Sequence, residues 1–198
     1  MKLYNSSVMG SINAGNISKG MYIIFKEAPQ FVTRADFMAP GKGSPVMRVK
    51  FKNVQTGSAG EFTFKTNESV EVADVDKKEM QFLYKDAEDA YFMEPKSFDQ
   101  ATVPLELVDE QAKWLMPDMK CWVIWYKEKA IGISLPPHVN MKVVESPDAV
   151  AGNRVNAPKK TVRLENGTEI LVPLFIKEGE MVIIDTTTGE YISRVTGN

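Results

Sequence analysis

The sequence carries one cysteine, Cys121, and one histidine, His138, in 198 residues. A lone thiol closes no intramolecular disulfide, and one thiol with one imidazole cannot build a Cys/His zinc site. Long apolar runs are missing as well. None approaches the roughly 18 residues that a membrane helix needs, and Met1-Lys2-Leu3-Tyr4-Asn5 leads into no apolar signal-peptide core. These absences predict a cytosolic protein with no metal, no cofactor and no membrane partner. Charge of one sign is also scarce: the net charge is −2, which by itself argues neither for nucleic acid nor against it.

Signatures of enzymes are missing too. There is no Gly-x-Ser-x-Gly elbow, and His138, beside Pro136-Pro137, is the only possible base for a triad and reads as a strand-entry residue. Gly41-Lys42-Gly43 lacks the upstream glycine spacing and the following helix of a phosphate loop. The acidic pairs Asp86/Asp89 and Asp109/Glu110 read as solvated turn or helix residues. The sequence predicts a protein that is not an enzyme.

What is present is an ordinary globular composition, 43% apolar and 25% charged, arranged in short alternating runs separated by turn residues. That pattern predicts an all-β protein of sandwiches or barrels. Runs at Met21–Lys26, Phe31–Phe37, Val46–Val54 and Glu61–Lys65 form a first curled sheet. In the third of these, a period of two puts Met47, Val49 and Phe51 on one face and Arg48, Lys50 and Lys52 on the other. A charged stretch from Glu68 to Glu79 separates it from hairpins at Met80–Glu94 and Cys121–Leu135. Between those hairpins, Pro104–Leu115 reads as a helix, with Leu105, Val108, Ala112 and Leu115 at helical spacing. After Pro136-Pro137 come Val139–Glu145, a polar loop over 146–159, a two-residue Asn166-Gly167 hairpin turn, and strands at Met181–Asp185 and Tyr191–Val195. Three units follow, over 1–73, 74–136 and 137–198. Each is near the lower size at which a domain folds alone, so contact between neighbours is expected to help.

Charge is divided unevenly among these units. The first has nine Lys and Arg against five Asp and Glu, the second eight against thirteen, the third seven against eight. The excess in the first lies between Arg34 and Lys65, where Arg34, Lys42, Arg48, Lys50, Lys52 and Lys65 face only Asp36 and Glu61. Such a cluster is either a solvated strand face or an electrostatic footprint for phosphates, and the polarity between units favours the second. At its centre is Ala39-Pro40-Gly41-Lys42-Gly43-Ser44-Pro45, a turn in which glycines clear the space on both sides of Lys42. It is either a plain surface turn or a slender probe carrying one cation, or a modified amine, into a polyanionic cavity.

The chain resembles bacterial translation elongation factor P. Pro40-Gly41-Lys42-Gly43 followed by Val46-Met47-Arg48-Val49-Lys50 is similar to that family's tip and next strand. Lys160-Thr161-Val162, Gly167, Ile170, Val172-Pro173, Ile176 and Gly179 are similar to its C-terminal signature. Ala73-Asp74-Val75, Leu83-Tyr84-Lys85-Asp86 and Thr188-Gly189-Glu190-Tyr191-Ile192-Ser193-Arg194 agree as well. The likeness runs over about residues 16–198. It implies an SH3-like (KOW-type) barrel followed by two OB-fold barrels, set out as an L of about tRNA size.

The resemblance also implies function. It points to a monomeric elongation factor bound to the 70S ribosome between the P and E sites, stabilising prolyl peptidyl-tRNA and stimulating peptide-bond formation at consecutive prolines. Lys42 is then the functional tip and the target of a lysine-modifying enzyme, with Pro40, Gly41, Gly43 and Ser44 shaping its loop. Arg34, Arg48, Lys50 and Lys52 are candidates for tRNA or rRNA phosphates on charge and strand face alone. Tyr191 and Arg194 match the family's closing motif, where packing and RNA contact are both open. Two segments depart from the family. The loop associated with the E-site codon, usually Gly-Asp-Thr, reads Gly152-Asn153-Arg154, in which an arginine can still hold a phosphate. Ser44-Pro45 stands where many members have Gln-Ala, and the modification state of Lys42 stays open. Met1–Ala14 is an extension expected to be flexible. The alternatives are an elongation factor P-like paralogue, which the Pro-Gly-Lys-Gly tip disfavours, and a free OB-fold binder of single-stranded nucleic acid using Tyr84, Tyr91 and Tyr126, which the acidic middle unit disfavours.

Overall fold

Strand period and turn chemistry divide the chain into three antiparallel sheets that share no strand. The computed structural model describes residues 10–39, 41, 43–147 and 159–195. The first sheet contains β1 (Ser11–Asn13), β2 (Tyr22–Phe25), β3 (Ala28–Met38), β4 (Val46–Asn53), β5 (Ala59–Lys65) and β6 (Ser69–Val72), in the order β1-β6-β2-β3-β4-β5. A 3-10 turn at Ala14–Asn16 closes the curl, where the Ala14 and Gly15 amides donate to the Glu68 and Thr66 carbonyls at 2.8 and 2.9 Å. Ile23, Val32 and Val49 are fully buried beneath it. As the alternation requires, Met47, Val49 and Phe51 point inward from β4 while Arg48 and Lys50 point out.

The second sheet has β7 (Asp76–Lys85), β8 (Asp89–Met93), β9 (Gln100–Pro104), β10 (Lys120–Tyr126) and β11 (Lys129–Ser134), in the order β11-β10-β7-β8-β9. The third has β12 (His138–Glu145), β13 (Lys159–Leu164), β14 (Glu169–Pro173), β15 (Met181–Asp185) and β16 (Tyr191–Arg194), in the order β14-β13-β12-β15-β16. In both, the first strand is central, with the second and third on one side and the fourth and fifth on the other. The same barrel topology is therefore used twice, as expected for two OB folds.

The joints between sheets are packed. One continuous apolar cluster contains Phe92, Val108, Trp114 and Cys121 of the middle unit together with Met141, Leu164, Ile176 and Ile184 of the last. Burial pushes the Cys121 thiol up to about 12, so it is an inert core group at neutral pH. A smaller cluster joins the first unit to the second through Tyr22, Val54, Ala73, Ile124 and Ile131. There the Tyr22 hydroxyl lies over Gly132 of β11, where a Cβ would sit 2.5 Å from it. Burial raises the phenol above its ordinary pKa.

Two hairpin turns of one design border these joints. In Asn53–Ser58 the Asn53 Oδ1 accepts the Gln55 and Thr56 amides at 2.8 and 3.1 Å, and Gly57 follows at φ +70. In Asp185–Glu190 the Asp185 Oδ1 accepts the Thr187 and Thr188 amides at 2.7 and 2.9 Å, and Gly189 follows at φ +73. Those two amides, Thr188 ahead of Thr187, hold the Asp185 carboxyl below the usual carboxylate range. Both turns rest on one stretch of the middle unit. A Cβ on Gly57 would run into the Glu106 carboxylate, and one on Gly189 would lie 3.4 Å from the Trp114 ring.

Four local expectations are corrected. Pro104–Leu115 is not one helix: Pro104 ends β9, α1 spans Leu105–Val108, and 3-10 geometry continues over Asp109–Trp114. The left-handed φ of Asp109, +55, breaks the α-helical ladder. The charged Glu68–Glu79 stretch holds β6 and the start of β7, because backbone pairing of Asp76–Glu79 with Trp122–Trp125 of β10 outweighs polarity. Ser11–Asn13 is paired with β6, so that part of the expected flexible extension is sheet. The Asn166-Gly167 turn has three loop residues: Leu164 pairs with Thr168, and Gly167, at φ +81, forms the bulge.

The Tyr22–Gly132 contact yields a prediction. Gly132→Ala should lower stability by about 1–3 kcal/mol through overpacking, whereas Gly10→Ala, at a site with open space and no left-handed φ, should lose less. Urea unfolding of the full chain checks it, and equal midpoints for the two variants would refute the joint.

Candidate nucleic-acid interface

The basic cluster is built on an arm. Beyond Val32, which still bonds Met21 and Gly20 through its amide and carbonyl, β3 has no strand neighbour but β4 among the described residues and runs on it to the Met38–Val46 pair, while β4 keeps β5 on its other side. A bulge between Val32 and Arg34 sets the register of this extension. On its outer face, Arg34 lies opposite Lys50, Lys50 opposite Glu61, and Arg48 opposite Asp36 and Thr63. On its inner face, Phe37 lies opposite Met47, and Met47 opposite Phe64.

The loop at the end of this arm is rooted by Pro45, whose carbonyl accepts both the amide and the hydroxyl of Thr66 at 3.3 Å. Gly41, Gly43 and Ser44 are exposed. Open space surrounds Gly41, and Gly43 has φ +127, a region that favours glycine. Pro40, Lys42, Gly152, Asn153 and Arg154 lie outside the described residues.

Three of the candidate cations are weakly engaged. Arg34 Nε is 2.7 Å from Asp36 Oδ2, Arg48 Nε is 3.5 Å from Glu61 Oε1, and Lys50 Nζ is 3.8 Å from Glu61 Oε2. All are solvent-exposed pairs, worth about 0–1 kcal/mol each, so a phosphate can replace the carboxylate at small cost. Lys52 is different. Its Nζ donates to the Glu106 carbonyl at 2.8 Å and lies 3.7 Å from Asp109 Oδ2, with only 24% of its side chain exposed. It spans the joint to the middle unit. Tyr191 packs partly buried against the shared apolar cluster, and Arg194 Nη1 donates to Glu180 Oε1 at 2.9 Å. The Lys177 amide, then Arg194, hold the Glu180 carboxyl below its usual range. The structure thus gathers Arg34, Arg48 and Lys50 as exposed cations on one face, ties Lys52 of that same strand face into the joint, and places Tyr191 and Arg194 in the last unit.

Comparison with known proteins gives this arrangement its family. Residues 13–70 match the elongation factor P KOW-like domain, 75–133 the elongation factor P OB domain, and 139–194 the elongation factor P C-terminal domain. Elongation factor P of Aquifex aeolicus is 40% identical over 184 residues, covering 93% of this chain and 96% of that one. Elongation factor P of Moorella thermoacetica is 43% identical over 164 residues, covering 82% and 89%. The chain belongs to the elongation factor P family. Among solved structures, eukaryotic translation initiation factor 5A from Methanococcus jannaschii is 22% identical, with a TM-score of 0.41, over 64% of this chain and 95% of its own.

Within this elongation factor P fold, among the described residues, no cluster of His, Cys, Asp or Glu could hold a metal ion, and no helix is long and apolar enough to cross a membrane. Sequence reasoning missed Glu106, Asp109 and Trp114 as joint residues. A signal for their partners was present: Asn53-Val54-Gln55-Thr56-Gly57 and Asp185-Thr186-Thr187-Thr188-Gly189 share the pattern of an Asn or Asp followed three and four residues later by Thr-Gly.

The division of labour between neighbouring lysines is testable. Lys52→Met should destabilise the full chain by about 1 kcal/mol through loss of the Glu106 hydrogen bond, while Lys50→Met should change stability by less than about 0.5 kcal/mol. Equilibrium denaturation of both variants checks this, and a silent Lys52→Met would remove the lysine from the joint.

Proposed function

We propose that this elongation factor P family member binds the ribosome between the P and E sites, stabilises P-site peptidyl-tRNA and stimulates peptide-bond formation at consecutive prolines. The observation that carries the reading is the three-stranded extension with exposed cations on one face and the exposed Gly41, Gly43 and Ser44 at its end. Arg34, Arg48 and Lys50 meet phosphates of the tRNA acceptor arm or rRNA, and Lys42 reaches toward the CCA end at the peptidyl-transferase centre. Proline reacts poorly because its ring constrains the attacking amine and the nascent chain. Holding the ester in attack geometry supplies part of the roughly 7–11 kcal/mol that positioning can offer, so the factor itself makes and breaks no bond and is not an enzyme.

In this reading the factor is a cytoplasmic monomer, Lys42 is the residue a lysine-modifying enzyme would act on, and Gly152, Asn153 and Arg154 meet the E-site codon. Free binding of single-stranded nucleic acid by the middle OB fold is less well supported. Its exposed Tyr84 stacks on Tyr91, ring centroids 4.5 Å apart, beside Asp86, Glu88 and Asp89, where phosphates are repelled.

In reconstituted translation of a Pro-Pro-Pro template, natively purified protein should accelerate full-length peptide and Lys42→Ala should not. Equal rescue by the variant would overturn the mechanism. Ribosome binding by Arg48→Glu/Lys50→Glu should be weaker, and the slope of log Kd against log salt should fall by about one for each phosphate no longer neutralised. An unchanged slope would take that face out of the interface.

A further inference from the structure

The arm has a second face that the cations do not explain. Phe37, Met47 and Phe64 lie in one cross-strand row, but Met47 and Phe64 are 5% exposed whereas Phe37 is 61% exposed. The ring packing on that face joins Phe25 to Phe62 at 4.8 Å and Phe62 to Phe64 at 4.7 Å. Among the described residues it does not extend to Phe37. Since, among the described residues, β3 has no strand neighbour but β4 here, the Phe37 ring hangs at an open edge of the sheet and can be approached around that edge. The next residue, Met38, is 44% exposed on the opposite face.

Charge identifies the occupant. The other strongly exposed aromatics of the first two units, Tyr84 and Phe98, lie in the acidic middle unit, Phe98 next to Glu94 and Asp99. Phe37 instead lies on the same three strands as Arg34, Arg48, Lys50 and Lys65, against the two acids Asp36 and Glu61. An exposed ring on a cationic ribbon is the combination that binds unpaired nucleotides: cations follow the phosphates and the ring takes the face of a base. We propose that Phe37 is a base-stacking residue, which receives an unpaired nucleobase at the edge of the arm while Arg34, Arg48 and Lys50 hold the adjoining phosphates. The inference rests on the ribosome-binding reading and adds to it a contact made through a ring rather than a charge.

The test uses the full chain and 70S ribosomes carrying peptidyl-tRNA in the P site. Wild type is measured first, and if it does not bind, the ribosome-binding reading fails before any variant is made. With wild type bound, Phe37→Ala and Phe37→Leu should each weaken binding about ten-fold, and Phe37→Trp should restore it. Thermal midpoints should stay unchanged, because so little of the ring is buried. Wild-type affinity in Phe37→Ala would overturn the inference alone. Wild-type affinity in Phe37→Leu with weakened binding in Phe37→Ala would also overturn it, by pointing to an apolar pocket that needs no ring. A photoreactive phenylalanine analogue at position 37 should crosslink to RNA, and mapping the nucleotide tells transfer RNA from ribosomal RNA. Crosslinking to a ribosomal protein would overturn the assignment.

Discussion

Ten residues of the middle unit, Leu105–Trp114, are gripped from both sides, and the relation of the outer barrels to it depends on that grip. From the first barrel come Lys52, on the Glu106 carbonyl, and the Gly57 turn. From the last come the Gly189 turn over Trp114 and the Asn166 side-chain amide, which donates to the Lys113 carbonyl at 2.6 Å. A short α turn interrupted at Asp109 suits this role better than a regular helix. Its ladder leaves carbonyls unpaired inside the chain, and neighbouring barrels supply the donors.

The two joints differ in kind. Between the middle and last barrels the apolar core runs on without a break, so separating them would expose core side chains. Between the first and middle barrels the core is discontinuous, and a smaller cluster around Tyr22 and Ile131 is supplemented by the Lys52 bond. The barrel that bears the arm is thus attached by the lesser apolar contact. Its orientation depends more on polar and close-packed details at Gly57 and Gly132.

Much of this was legible in the residues. Alternation in Val46–Val54 gave both faces of β4, because a period of two assigns sides without knowledge of the partner strand. The tip and C-terminal motifs led to the family. What sequence left hidden was non-local. Lys52 has the same charge and strand face as Lys50, and only the placement of Glu106, 54 positions away, separates their roles. Helical spacing in Leu105–Leu115 was real but served packing against two barrels, and a left-handed Asp109 cannot be inferred from periodicity. Phe37 reads as one more inward strand residue until the end of the barrel beneath it is located.

Among the described residues, β3 beyond Val32 has no strand on the side away from β4. A strand that extends past its neighbour offers unpaired amides and carbonyls to any other extended chain, the usual route to edge-to-edge aggregation. Here the bulge after Val32 and the charged Arg34 and Asp36, paired at 2.7 Å on the outer face of that strand, interrupt the flat apolar ribbon such a chain would need. Residues that serve the surface charge of the arm therefore also guard its open edge, and disfavour edge-to-edge pairing of the long hairpin with another extended chain.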